Sequence, residues 1–371
     1  MARQWTSPAR RGSVRQRGAG RRRPALALLA LGLALLASCG PAAAPPPAAG
    51  GASAPPQAAA APPASAPQPQ KVVVRLDWVP WAVQAPLHLA VERGWFAERG
   101  LDVELQDGNG SVVAVQTVGA GKFDLGYASL ATMAMGRNEG LPVRSVAGFV
   151  RKGDLGMLFP EGAPIRSPRD VEGQSIIYTA GAFEAPFLDA FLRSGGTSRD
   201  RVNLITVDAA AKYQTYAAGR GDAVFGPVPY QAVLMQKARP SSALLFSDYG
   251  LLLPGHGLFT TEDTIGGKPE MLRGFVAAAV RGWEYARDHP DEAMAAMRAQ
   301  RPQASLEYEG ERDALEAYRT YLDTSRTQGK GLGWQSEEDW ADALRAMVDA
   351  GVVKADARPA DFFTNDFIPS R

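Results

Sequence analysis

A regular rhythm of apolar and polar positions begins at Lys71. Val72-Val73-Val74-Arg75-Leu76 is a β-branched strand pattern, and Leu101-Asp102-Val103-Glu104-Leu105 alternates apolar with polar, as a half-buried strand does. Between them, residues 84–93 carry helical spacing that Gly94 can stop. A further helix is predicted from Ser111 to about Gly119–Gly121, and then a strand from Phe123 to Tyr127. Strands that alternate with helices specify an α/β fold with a largely parallel sheet. The most regular helix is predicted over 268–287, with Leu272, Phe275, Val276, Ala279, Val280, Trp283 and Ala286 on one face. Helices at about 290–300, 307–323 and 336–350 are expected to pack against the first lobe.

The pattern repeats. Ala120-Gly121-Lys122-Phe123-Asp124-Leu125 is echoed 98 residues later by Ala218-Gly219-Arg220-Gly221-Asp222-Ala223. Each copy has a helix end, a Gly suited to the left-handed cap, a basic residue, one spacer, an Asp and a strand. These are read as one corner in two similar lobes. Ser167-Pro168-Arg169-Asp170 opens the second lobe with a helix-start signature. Its strands are expected at Ser175–Thr179, Val202–Val207, Asp222–Phe225 and Ala243–Phe246. The expected organisation is 71–160 plus 248–371 for lobe one and 161–247 for lobe two. A chain that leaves one lobe and returns makes two crossings, hence a hinge with a cleft between.

Upstream of this body the texture differs. The first 38 residues hold eight Arg and no acid, and Ala25 to Ala37 is a 13-residue run of Ala, Leu and one Gly. That is an export signal, 1–38, too short to span a bilayer, which needs about 20 apolar residues. It ends Leu36-Ala37-Ser38-Cys39-Gly40, which resembles the bacterial lipobox and implies lipidation of Cys39 and a durable membrane anchor. Residues 40–70 contain ten Pro, thirteen Ala and no charge. They cannot bury a core and read, from Cys39 to Gln70, as a tether. Such a chain is expected on the extracytoplasmic face of the cell membrane.

Charge and composition remove several functions. Formal net charge is +1. Without the eight leader arginines the body carries about −7, which argues against nucleic-acid binding. One Cys excludes an internal disulfide and a Cys-cluster zinc site, and three His leave little for a metal centre. No G-x-S-x-G, H-E-x-x-H or complete phosphate-binding loop occurs. No catalytic residue, metal or cofactor is expected. His88 lies in an apolar helical pattern and reads as a packed histidine, whereas His256, between two glycines, has a plausible place in a site.

The chain resembles a known family. Leu76-Asp77-Trp78-Val79-Pro80 and Ala90-Val91-Glu92-Arg93-Gly94-Trp95-Phe96-Ala97-Glu98-Arg99-Gly100-Leu101-Asp102-Val103 resemble the start of the NMT1/THI5-like (SsuA/THI5) proteins. Gly121 to Gly126, Ser167 to Gly173, Arg281 to Ala286 and Phe363-Thr364-Asn365-Asp366-Phe367-Ile368-Pro369 extend the match over roughly 71–369. The resemblance implies a type II periplasmic-binding-protein fold and a role as the substrate-binding protein of an ABC importer. The partners implied are a small-molecule ligand, a permease and its ATPase, with the membrane touched only through the lipid anchor. Thiamine-precursor pyrimidines, riboflavin and, more distantly, sulfonates and nitrate are the ligand classes of that family. Pyrimidine-synthesising members place a consumed His where this chain has Gln84, and a Cys-rich loop where it has Leu251 to Gly257, so the synthase activity is not expected. Trp81 replaces an Asn common in pyrimidine binders.

Ligands of open α/β lobes bind beyond the carboxyl ends of strands. Strand one delivers Trp78 and Trp81 there as flat surfaces, although Trp78 also suits a core position. Gln84 offers a donor and an acceptor together, matching an amide-like edge. Tyr127 and Ser129 end the third strand, and Ser129 equally suits a helix cap. In lobe two, Gly181, Phe183 and Glu184 join a strand to a helix, and Glu184 there also complements the helix dipole. Tyr213 follows Lys212 at a helix start, and Pro227, Tyr230 and Gln231 belong to a rigid strand-to-helix loop. These twelve residues are the candidate ligand site. A flat heteroaromatic such as a thiamine-precursor pyrimidine is preferred, with riboflavin next.

Overall fold

The computed structural model describes residues 68–180, 182–208, 211–304 and 308–370. The expected leader, Cys39, most of the tether and Gly181 lie outside the described residues. In chain order the first lobe begins β1 (Gln70–Leu76), α1 (Ala85–Glu92), β2 (Leu101–Gln106), α2 (Ser111–Gly119), β3 (Leu125–Ser129), α3 (Leu130–Asn138) and β4 (Val143–Gly148). The second comprises β5 (Leu155–Pro160), β6 (Ser175–Tyr178), α4 (Leu188–Ser194), β7 (Asn203–Thr206), α5 (Lys212–Ala217), β8 (Ala223–Pro227), α6 (Val228–Met235) and β9 (Ser241–Leu245). The chain then returns through β10 (His256–Thr261), α7 (Glu262–Gly267), α8 (Pro269–Asp288), α9 (Pro290–Gln300), α10 (Tyr308–Ala317), α11 (Glu337–Asp349) and α12 (Pro359–Phe362).

Two five-stranded sheets share one plan. Their strand orders are β2-β1-β3-β10-β4 and β7-β6-β8-β5-β9. In each, the first three strands are parallel and the fourth is antiparallel to both neighbours. That antiparallel strand is the one delivered by a crossing: β5 follows β4 out of the first sheet, and β10 follows β9 back. An antiparallel strand starts where its parallel neighbours end, so His256 sits opposite Ser129 and Leu155 opposite Pro227.

This corrects the expected lobe boundary. The expected lobe one extends to residue 160, but β5 pairs with β8 and β9 in the second sheet. The crossing runs through about 149–154, and its polar texture gives no sign of a lobe change. β4 and β10 carry no strand signal in the sequence, since both are fully or nearly fully buried and lack the alternation that marks a half-buried strand.

The repeated corner is real in structure. Gly121 and Gly219 both have φ +72°. In lobe one the Asp124 carboxylate accepts from the Val73 amide at 2.9 Å, while the Asp124 amide donates to the Val73 carbonyl at 3.0 Å. In lobe two the Asp222 carboxylate accepts from Ser175 N–H and its amide donates to the Ser175 carbonyl, both at 2.8 Å. One short motif thus clips the third strand to the first in each sheet.

All seven residues assigned to the apolar face of α8 are buried. Phe275 stacks on Phe96 at 4.7 Å and Trp283 on Phe149 at 5.3 Å, so the helix closes one face of the first sheet. In lobe two Phe191 stacks on Phe246 at 4.5 Å. The late helices do not serve the first lobe alone: α10 packs on α9 and also on α6 of the second lobe. No helix of the described residues is long and apolar enough to cross a membrane.

Candidate functional site

The carboxyl ends of β1, β6 and β8 converge, as do the starts of β5 and β10. Past β1 the chain turns through Asp77, Trp78 and Trp81. The loop after β6 carries Ala182, Phe183 and Glu184, α5 begins with Lys212 and Tyr213, and β8 ends at Pro227 before Tyr230 on α6. These ten residues line one narrow cavity between the lobes, with about 30 Å³ of free room. Its aromatic walls meet at steep angles: Trp81 and Tyr230 lie 5.2 Å apart at 81°, and Tyr213 and Tyr230 5.5 Å apart at 67°.

Behind the rings is a buried polar shell. Asp77, 1% exposed, is its hub. One carboxylate oxygen accepts from Trp81 Nε1 at 3.3 Å and Gln84 Nε2 at 3.1 Å; the other takes the Ser111 hydroxyl at 3.2 Å and lies 2.8 Å from His256 Nε2. His256 is wholly buried, with Trp81 and Phe183 edge-on to its ring. On the other side Lys212 Nζ donates to Glu184 in a pair buried on both sides. Asp154, on the first crossing, accepts the Tyr318 hydroxyl at 2.9 Å, and burial raises its carboxyl above the usual range. Burial likewise pushes the Tyr213 and Tyr230 phenols well above 10, with the carboxylates near them adding to the shift. Both rings therefore keep their hydroxyl protons at neutral pH.

One carboxylate joins the lobes at this place. Glu311 on α10 accepts the Ala82 amide of the first lobe at 2.7 Å and the Tyr230 hydroxyl of the second at 2.7 Å.

Seven of the candidate residues come together around the cavity: Trp78, Trp81, Phe183, Glu184, Tyr213, Pro227 and Tyr230. Four do not. Tyr127 is fully buried, and its hydroxyl donates to the Val83 carbonyl at 2.9 Å, because its side chain falls on the core face of β3. Ser129 caps α3, accepting from the Thr132 amide at 3.3 Å. Gln84 spends its amide N–H groups on Asp77 and the Trp78 carbonyl. Gln231 is wholly buried, at 3.4 Å from the Gly226 carbonyl. Pro229, Tyr230 and Gln231 also lie on α6 rather than in a loop.

Sequence reasoning missed Asp77, Lys212 and Glu311 as parts of the site. Asp77 had a signal, a lone acid directly after an apolar strand. Glu311 had none, being 229 residues from Ala82. The loop Asp107 to Ser111 is a plain turn: the Gly108 and Gly110 amides bond the Trp78 and Asp77 carbonyls, and Asp107 pairs with Arg301. A wider groove of about 480 Å³ lies beside the crossings, lined by Lys152, Leu252, Asp323 and Arg326 among others, without converging ring faces. Among the described residues no group of three or more His, Cys, Asp or Glu can hold a metal.

Comparison with known proteins agrees with this geometry. The chain is 28% identical over 282 residues to a formylaminopyrimidine-binding protein of Halalkalibacterium halodurans, covering 74% of this chain and 84% of that one. It is 27% identical over 312 residues to the riboflavin-binding protein RibY of Chloroflexus aurantiacus, covering 82% and 87%. Its fold matches the alkanesulfonate-binding protein SsuA from Xanthomonas axonopodis pv. citri with a TM-score of 0.60 at 14% identity, covering 81% of this chain and 99% of that one. The two-lobed architecture is that of the periplasmic binding proteins. The profile described as NMT1/THI5 like matches residues 81–293, and the chain belongs to that family.

Proposed function

We propose that this chain is the extracytoplasmic solute-binding protein of an ABC importer, held to the membrane through lipidated Cys39, and that it carries a small flat heteroaromatic in the cleft between its lobes. The observation that carries this reading is the cavity itself, whose walls are Trp78, Trp81, Phe183, Tyr213 and Tyr230 drawn from both lobes. Flat rings in perpendicular planes offer one face for stacking and others for edge contact, about 0.5–1.5 kcal/mol per ring pair beyond burial. Relatives named for formylaminopyrimidine and riboflavin point to the same ligand shape. The cavity leaves about 30 Å³ free, far below the roughly 300–1,000 Å³ of ligand sites, so on this reading the lobes part to admit a ring.

Capture requires no chemistry. Ligand contacts made with both lobes favour the closed arrangement, and opening at the permease releases the cargo unchanged. Gln84 supports transport over synthesis. Its amide is bound to Asp77 and the Trp78 carbonyl and supplies no imidazole to be consumed.

Thermal unfolding of the full chain with pyrimidines, flavins and alkanesulfonates tests the proposal. A true ligand at 100 times its dissociation constant stabilises by about 2.7 kcal/mol. A shift with an aminopyrimidine is the expected result. A shift with flavins alone moves the assignment to riboflavin, and a shift with sulfonates alone overturns the heteroaromatic reading.

A further inference from the structure

The cavity's walls and its buried charges have a common sign. Five aromatic side chains line it, with Asp77 and Glu184 as its acids and Lys212 as its one cation. Lys212 is neutralised by Glu184 and sits over the Tyr213 ring at 5.7 Å. Asp77 is bound to His256, and Asp154 lies within electrostatic reach of His256, Tyr213 and Glu184 while accepting the neutral Tyr318 hydroxyl. Asp77 and Glu184 against the Lys212 ammonium leave a formal excess of one negative charge with His256 neutral, and Asp154 adds a carboxyl whose ionised form burial disfavours. Glu311 brings a further carboxylate to Tyr230. Over Gly226 a third kind of electron-rich group gathers: a Cβ placed there would meet the Gln231 Oε1 oxygen at 3.1 Å, beside Lys212 Nζ and the Tyr213 hydroxyl. That oxygen is buried and has no hydrogen-bond partner.

Aromatic faces carry negative quadrupole density, and a box of them backed by carboxylates attracts cations, most strongly when water is excluded. An anion in the same place meets like charge that burial leaves poorly screened. We propose that the ligand of this cleft binds as an organic cation, with its positive charge on or beside the ring held between Trp78, Trp81, Tyr213 and Tyr230, and that the site rejects sulfonates and other anions. This rests on the reading of the cleft as the ligand site. It goes further by fixing the ligand's charge, which neither relative's name states.

The test compares ligands that differ by one atom. 4-Amino-1-methylpyridinium and 4-methylaniline share a shape, and only the first carries a fixed charge. Benzenesulfonate supplies a flat anion and choline a cation without a ring. Binding to the full chain is followed by calorimetry and by thermal shift. The pyridinium is expected to bind at least about tenfold tighter than the aniline, within the range of desolvated cation–π contacts, and benzenesulfonate not at all. Trp78→Leu, at a half-buried position, is expected to weaken the pyridinium several-fold while Trp78→Phe retains most of its affinity. Equal binding of pyridinium and aniline, tighter binding of the sulfonate, or no binding of any cation overturns the inference. The two claims separate cleanly. Choline bound in preference to the pyridinium leaves the charge inference standing and sinks the heteroaromatic reading; a neutral pyrimidine or flavin bound without regard to charge does the reverse.

Discussion

At Asp77 a single buried carboxylate organises the floor of the cleft, holding Trp81, Gln84, Ser111 and His256. Removing one member of such a pair leaves the rest buried without compensation. Asp77→Ala is therefore expected to cost about 3–5 kcal/mol in urea unfolding, and Asp77→Asn less, because an amide oxygen still accepts from Ser111. His88 offers a second residue-scale test. It is wholly buried against Gln300, and burial lowers its pKa from 6.5 to about 4. Its folded pKa lies below its unfolded one, so its stabilising contribution is complete above pH 6.5 and disappears as pH falls towards 4. The loss amounts to about 3 kcal/mol across that window. Urea midpoints measured over that pH range should fall for the wild type and fall less for His88→Asn. The residue scale is also where the sequence misled. Gln84 and Gln231 are polar residues in apolar surroundings, which reads equally as a ligand edge or as a buried support. The fold turns the Gln84 amide N–H groups to Asp77 and the Trp78 carbonyl and sets the Gln231 amide nitrogen by the Gly226 carbonyl, a placement no local pattern in the sequence announces.

Elements were the most legible level. Wherever one face meets water, the apolar pattern marks the element, as in α8, α9, β2 and the helix starts at Ser111 and Ser336. In β5 and β10, which are covered on both faces, the pattern loses its period and gives no strand signal, whereas the equally buried β3 and β8 are marked by the Gly-basic-x-Asp corner before them. The repeated Gly-basic-x-Asp corner was legible for a different reason, since the left-handed Gly and the strand-clipping Asp are local devices. It yields a paired prediction. Asp124→Ala and Asp222→Ala each strand a backbone amide. Because Val73 N–H is part-buried and Ser175 N–H exposed, the first is expected to cost about 1–3 kcal/mol and the second under about 1. Equal losses in chemical denaturation would show that the two corners do not bear on their sheets as described.

For the molecule as a whole, the decisive feature is a contact between parts distant in sequence. Glu311 holds the Ala82 amide and the Tyr230 hydroxyl, and so spans the two lobes at the cleft. Nothing in the sequence near Glu311 announces this, because the bond depends on how α10 is laid across both lobes. A hydrogen bond to a carboxylate contributes about 1.5–3 kcal/mol. Tyr230→Phe removes it with the ring retained, and is expected to raise the radius of gyration of the ligand-free chain in small-angle scattering and to weaken binding about 10-fold or more. An unchanged radius and affinity would mean that closure does not depend on this link. The central claim is that a flat ring is held between Trp78, Trp81 and the tyrosines of the other lobe. Tryptophan fluorescence titrated with an aminopyrimidine tests it most directly, on the wild type and on Trp78→Leu. The account predicts saturable quenching in the wild type and a several-fold weaker affinity in the variant. Absence of quenching, or the same affinity in both, would contradict it.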